Sequence, residues 1–248
     1  AAGSASAATT ARAAPRASLA AFACDRALDP LRRSVFLQAV MRPLVGTQRM
    51  EIRFQLLERT SRRARAVAVR GPGLGVWVVP TDPTLGRRPG DVWRLDKRVV
   101  PLPAPATYRF RVRFRWLSAD GRRLGGALRV SRACRQRELR PDLLVRSISV
   151  SALPAHPGDD LYRVRIANRG ATGAGPFEVL FAPGGTGSPI ARTIRFLGAH
   201  RARRVSFVGP ACDPAGPPTV TVDAAGQTDD YDRANNTLAA VCPTTSGG

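Results

Sequence analysis

Tyr108-Arg-Phe-Arg-Val-Arg-Phe-Arg-Trp116 alternates without a break. Tyr108, Phe110, Val112, Phe114 and Trp116 are large and apolar, and Arg109, Arg111, Arg113 and Arg115 lie between them. Successive side chains of a strand point to opposite faces, so this pattern is a half-buried strand and cannot be an amphipathic helix. One face supplies four of the chain's fifteen aromatic residues to a core. The other carries four guanidinium groups spaced roughly 6–7 Å apart along the strand.

Outward from this strand, Asp120-Gly121 is a hairpin signal that turns the chain back into residues 123–133. Upstream, Met50, Ile52, Phe54 and Leu56 alternate with Glu51, Arg53 and Gln55. Residues 35–41, 64–69, 75–79 and 93–100 are further candidate strands between Gly/Pro turns. Seven or so short strands without a helical period predict a β-sandwich over residues 24–138. Residues 135–141 form a short polar linker ending in Pro141. Beyond it, residues 143–150, 162–166, 177–181, 190–196, 204–207, 219–222 and 237–241 repeat the pattern, predicting a second sandwich over residues 139–243. Residues 1–23, rich in Ala, Ser, Thr, Arg and Pro, are expected to be a flexible tail left by a removed secretion signal, and 244–248 a disordered end.

Two resemblances sharpen the fold expectation to tandem immunoglobulin-like sandwiches. Leu102-Pro-Ala-Pro-Ala-Thr-Tyr108 resembles the corner before a late strand of fibronectin type III domains, where a tyrosine hydroxyl ties back to the preceding backbone. The Cys24/Cys134 pair departs from that family, whose modules usually lack it. In the second half, Pro141-Asp142-Leu143, Tyr162-Arg-Val-Arg-Ile-Ala-Asn168-Arg-Gly170, Phe177-Glu-Val-Leu180, Val222-Asp223 and Asp232-Arg-Ala-Asn235-Asn236 are similar to CARDB, the cell-adhesion-related domain found in bacteria. That resemblance implies an immunoglobulin-like sandwich in an exported bacterial protein, without catalysis.

Charge is unevenly placed. The net charge is +21, and Lys97 is the only lysine beside 38 arginines. Residues 24–138 hold 26 basic and 9 acidic side chains, whereas residues 139–248 hold 11 and 9. The first half is therefore expected to favour anionic partners. Arg109, Arg111, Arg113 and Arg115 are the candidate polyanion site; the plainer reading is a solvated sheet face covered by arginine stems. Specific nucleic-acid binding is not expected, because the aromatic residues of that strand point to the opposite face. No run approaches the ~18 apolar residues of a membrane helix.

Four cysteines allow three pairings. Cys24 and Cys134 bracket the first half, and Cys212 and Cys242 fall late in the second, so one bridge per domain is expected, which suits an oxidising exterior. Lipidation of Cys24 after Ala21-Phe22-Ala23 is the competing reading.

Catalytic patterns are missing from the sequence. His156 and His200 sit in loop-like surroundings without a positioned acid or nucleophile. Lys97 follows no glycine-rich phosphate loop, and Gly184-Gly-Thr-Gly187 reads as a turn. Asp223, Asp229, Asp230, Asp232, Asn235 and Asn236 could offer oxygens to calcium, but capping of turns is the simpler role. Asn235-Asn-Thr237 also fits a glycosylation sequon. The expectation is a secreted or cell-surface, non-enzymatic adhesion or scaffold protein without metal or cofactor. Its partner would be an extracytoplasmic protein or an anionic cell-wall polymer.

Overall fold

The computed structural model describes residues 14–185 and 187–243. Residues 1–13 of the tail expected over residues 1–23, Thr186 of the glycine turn and the end expected over residues 244–248 lie outside them. The chain divides into two compact units, Ala1–Arg137 and Glu138–Gly248, meeting inside the expected linker. The described residues form strands, two single-turn 3-10 helices and no α-helix.

The first unit runs β1 (Ala17–Asp25), β2 (Ser34–Met41), β3 (Arg49–Arg59), β4 (Val67–Val69), β5 (Trp77–Val78), β6 (Trp93–Val99), β7 (Ala106–Leu117), β8 (Arg123–Val130) and β9 (Cys134–Gln136). One sheet has the order β1-β2-β6 and the other β4-β3-β7-β8, with β5 added to β3 and β9 to β7. The second unit runs β10 (Leu143–Ala152), β11 (Asp159–Asn168), β12 (Phe177–Ala182), β13 (Ile190–Ile194), β14 (Ala202–Pro210), β15 (Thr219–Val222) and β16 (Thr237–Ala239). Its sheets are β10-β11-β14 and β13-β12-β15-β16. Setting aside β5 and β9, both units use one plan: the first, second and fifth strands make one sheet, and the fourth, third, sixth and seventh the other. This is an immunoglobulin-like sandwich.

β7 is the central strand of the first core, as its alternation predicts. Tyr108, Phe110, Val112, Phe114 and Trp116 are all buried. Phe110 meets Phe54 of β3 edge-on at 6.0 Å between ring centres, and Trp116 Nε1 donates to the Arg42 carbonyl at 2.8 Å. Gly121, at φ +79°, makes the turn into β8, because a side chain is disfavoured in that left-handed region.

The corner before β7 has the expected geometry. Leu102 is buried, and the Tyr108 hydroxyl lies 2.8 Å from the Pro103 carbonyl and 2.8 Å from Glu58 Oε1. One hydroxyl hydrogen therefore serves two acceptors. Burial, and then the neighbouring Glu58, push the Tyr108 phenol well above its ordinary value.

The expected tail does not extend to residue 23. Residues 17–23 belong to β1, where Ala17 is buried, Leu19 and Phe22 pack on the core, and the Ala17 carbonyl accepts from Arg129 Nε at 3.2 Å. The pairing of β1 with β2 shifts register between Leu19 and Phe22. This bulge breaks the two-residue period that would mark a strand in sequence.

Both expected disulfides are present, Cys24–Cys134 and Cys212–Cys242, so Cys24 is bonded through its sulfur. The first joins β1 to β9 and so links the two sheets of the unit. A second link crosses one open side of the sandwich. β6 is an edge strand, and Lys97 on it donates from Nζ to the Pro72 carbonyl, in the loop between β4 and β5 of the other sheet, at 2.5 Å.

The second core is built on Tyr162, Phe181 and Phe207. Tyr162 lies 4.7 Å from Phe181, which stacks on Phe207 at 5.2 Å. Tyr162 donates to the Pro210 carbonyl at 2.6 Å; burial, and then Asp160, push its phenol up to about 12. Asn168, the residue expected to end a strand, is buried. Its amide donates to the carbonyls of Thr172 and Leu197, and its oxygen accepts from Asp142 and Gly170.

Candidate functional site

All four arginines of the predicted row lie on the outer face of β7, but the two ends of the row differ. At one end, Arg115 pairs with Glu51 of β3. Glu51 is 4% exposed and also receives Arg49 Nε at 3.0 Å. The Arg115 guanidinium lies 4.1 Å from the centre of the Trp77 ring. A cation stacked on an indole and paired with a buried carboxylate is not free to meet a ligand. In the middle, Arg113 stands opposite Arg53, and Arg111 opposite Gln55.

The other end opens into a groove of about 500 Å³. Thr107 of β7 is flanked by Arg59 of β3 and Arg135 of β9, its direct partners on either side. Directly opposed residues point to the same face, so Arg59, Thr107 and Arg135 form one outward row across three strands. Arg109 lies two residues along β7 and Arg137 two residues along from Arg135; with Arg62 of the loop after β3 they are the other arginines of the lining. The groove is lined by five arginines and no acidic side chain.

The second unit also concentrates its few cations. Arg165 of β11 stands opposite Arg204 of β14, and a cleft of about 460 Å³ is lined by Arg146, Arg165, Arg169, His200 and Arg201. Here Arg169 is already paired with Asp142 at 3.2 Å. Not every arginine is available as surface charge: Arg33 is 1% exposed and donates to the carbonyls of Ala27 and Leu28.

The acidic cluster caps turns. Asp223, at φ +52°, accepts from the backbone N–H of Gln227 and Thr228. Asp230 accepts from Leu143 and Asp232, and Asp232 from Ala234. Asn235 donates to Asp142 and Asp232, and Asp229 pairs with Arg140 at 3.3 Å. Among the described residues no three His, Cys, Asp or Glu side chains are gathered as a metal site. His156 and His200 are exposed loop residues.

Burial raises the Asp230 carboxyl above its ordinary value of 3.8, against the lowering by its hydrogen bonds to Asp232, Leu143 and Asn236. The folded state then holds this proton to higher pH than the unfolded chain does. Stability from this group therefore falls as pH rises from the ordinary value through the raised one. Asp230→Asn keeps the size and an acceptor oxygen. Its stability relative to the parent is expected to improve as pH rises through that window, read by urea denaturation at stepped pH. A pH-independent difference would remove Asp230 as the source.

Comparison with known proteins adds little. No family model matches the chain, and no curated protein matches it. Among solved structures, a chaperone–tip adhesin complex of CFA/I fimbriae aligns at TM-score 0.26 and 11% identity, over 85% of this chain and 93% of that one. The class 5 fimbriae chaperone CfaA aligns at 0.26 and 10%, with the same coverage. The Amycolatopsis orientalis exo-chitosanase CsxA aligns at 0.28 and 11%, over 88% of this chain but 26% of that one. At scores this low the likenesses carry no weight, and the fold assignment rests on the strand order of the two units.

Proposed function

We propose that this chain is an exported bacterial binding protein of the adhesion or scaffold type, acting without catalysis. The observation that carries the reading is the repetition of one immunoglobulin-like plan, each copy with its own disulfide. Disulfides persist where the surroundings are oxidising, which favours a place outside the cytoplasm. Rigid sandwiches present loops and sheet faces to partners. The CARDB-like residues of the second half fit the same role.

A second reading, that the partner is an anionic wall polymer held by the first unit, is favoured by the arginine groove. Cosedimentation of the chain with isolated cell envelope separates the two. A protein partner should hold the chain as salt rises. A polyanion should release it, because screening shortens to about 8 Å at physiological ionic strength. A chain left in the supernatant at low salt would overturn both readings.

A further inference from the structure

We infer that the groove closed by Arg59, Arg109 and Arg135 is a binding site for a linear polymer of phosphate groups. The inference rests on the polyanion reading above and says where the ligand sits and what it carries. Arg59 and Arg135 lie on either side of Thr107, so their strands are roughly 10 Å apart, two strand spacings. Arg109 is the next outward residue along β7, and Arg62 and Arg137 extend the lining on opposite sides. Guanidinium groups thus approach one volume from three strands and a loop, and no carboxylate lines it. Five cations so placed repel one another, and an anion seated among them relieves that repulsion.

The surroundings favour phosphate over carboxylate. A carboxylate accepts in one plane, which suits a single guanidinium fork, whereas a phosphate offers oxygens in several directions. The groove supplies donors in several directions: forks from β3, β7 and β9, with the hydroxyls of Thr107 and Thr60 between them. Arginine with serine or threonine is the usual donor set for backbone phosphates. The groove lining contains no aromatic side chain, so nothing there stacks a base, and a phosphate chain without bases fits better than a nucleic acid. The far end of the row lacks the site, because Glu51 and Trp77 already hold Arg115. The cleft in the second unit is weakened by Asp142 on Arg169.

The test uses the full chain and linear inorganic polyphosphate, with polygalacturonate and single-stranded oligothymidylate as comparison polymers, at physiological salt. Polyphosphate should bind most tightly. The triple variant Arg59→Gln, Arg109→Gln, Arg135→Gln should weaken it by about 30-fold or more, since each lost charge-assisted contact is a several-fold effect. A control triple at exposed positions of the same unit, Arg65→Gln, Arg87→Gln, Arg122→Gln, should weaken it by less than about 5-fold, through the general field alone. Single variants Arg59→Gln and Arg135→Gln, each melting like the parent, should reproduce part of the loss. Equal weakening by the two triples would overturn the groove while leaving the polyanion reading in place. The absence of binding to all three polymers by the parent would overturn both. Tighter binding of polygalacturonate, or of oligothymidylate, would overturn the assignment to a base-free phosphate chain.

Discussion

Replacing Cys24 and Cys134 together by alanine is expected to lower the stability of the first unit by about 5 kcal/mol in the chain-entropy picture. The bond closes a loop of 110 residues, nearly the whole unit. Cutting it returns that freedom to the unfolded chain and also removes a buried sulfur at Cys134 from between the sheets. Its neighbour Gln136 is affected as well. The Gln136 amide is buried, donates to the Asp25 carbonyl at 3.0 Å and lies 3.3 Å from Cys134 Sγ. The matched variant, Cys212→Ala with Cys242→Ala, opens a separation of 30 residues and should cost less, about 3–4 kcal/mol. Urea denaturation of the full chain, followed by probes in each unit, checks the order. A smaller loss for the first pair than for the second would contradict the loop-length account.

Starting the chain at Cys24 instead of Ala14 is expected to abolish the cooperative transition of the first unit. The shortened chain loses most of β1, including Ala17, Leu19 and Phe22 on the core. Burying one large apolar side chain contributes about 1.5–3 kcal/mol, and a whole domain is stable by only about 5–15 kcal/mol. The truncation also strips the β2 ladder, so that the inner strand of the sheet becomes an unpaired edge. The second unit should keep its own transition and serves as the internal control. Two unshifted transitions would show that β1 is dispensable.

The contrast between β1 and β7 shows what was legible in the sequence. β7 has large residues at every second position, and the structure extends the predicted strand by only two residues at its start and one at its end. β1 reads Ala-Ser-Leu-Ala-Ala-Phe-Ala-Cys-Asp; alanine has little strand preference, and the bulge displaces Phe22 from the alternating series. β9 is only three residues long, although Cys134 and Gln136 inside with Arg135 and Arg137 outside is a short alternation that could have been found. The disulfides followed from where the cysteines fall in each half. The groove did not, because Arg59 and Arg135 are far apart in sequence and meet only through the register of β3, β7 and β9. For the same reason the pairing of Arg115 with Glu51 was invisible: each residue alternates correctly in its own strand, and only the pairing of the strands brings them together.

The Lys97 link has a practical consequence. It is the chain's only lysine, so amine-directed reagents have one side-chain target in the whole sequence. That target sits where β6 faces the Pro72 loop, and acylating it replaces an ammonium donor with an amide. The arginines of the groove do not react with such reagents. A surface or dye attached through Lys97 therefore leaves the arginines of the proposed ligand site chemically untouched.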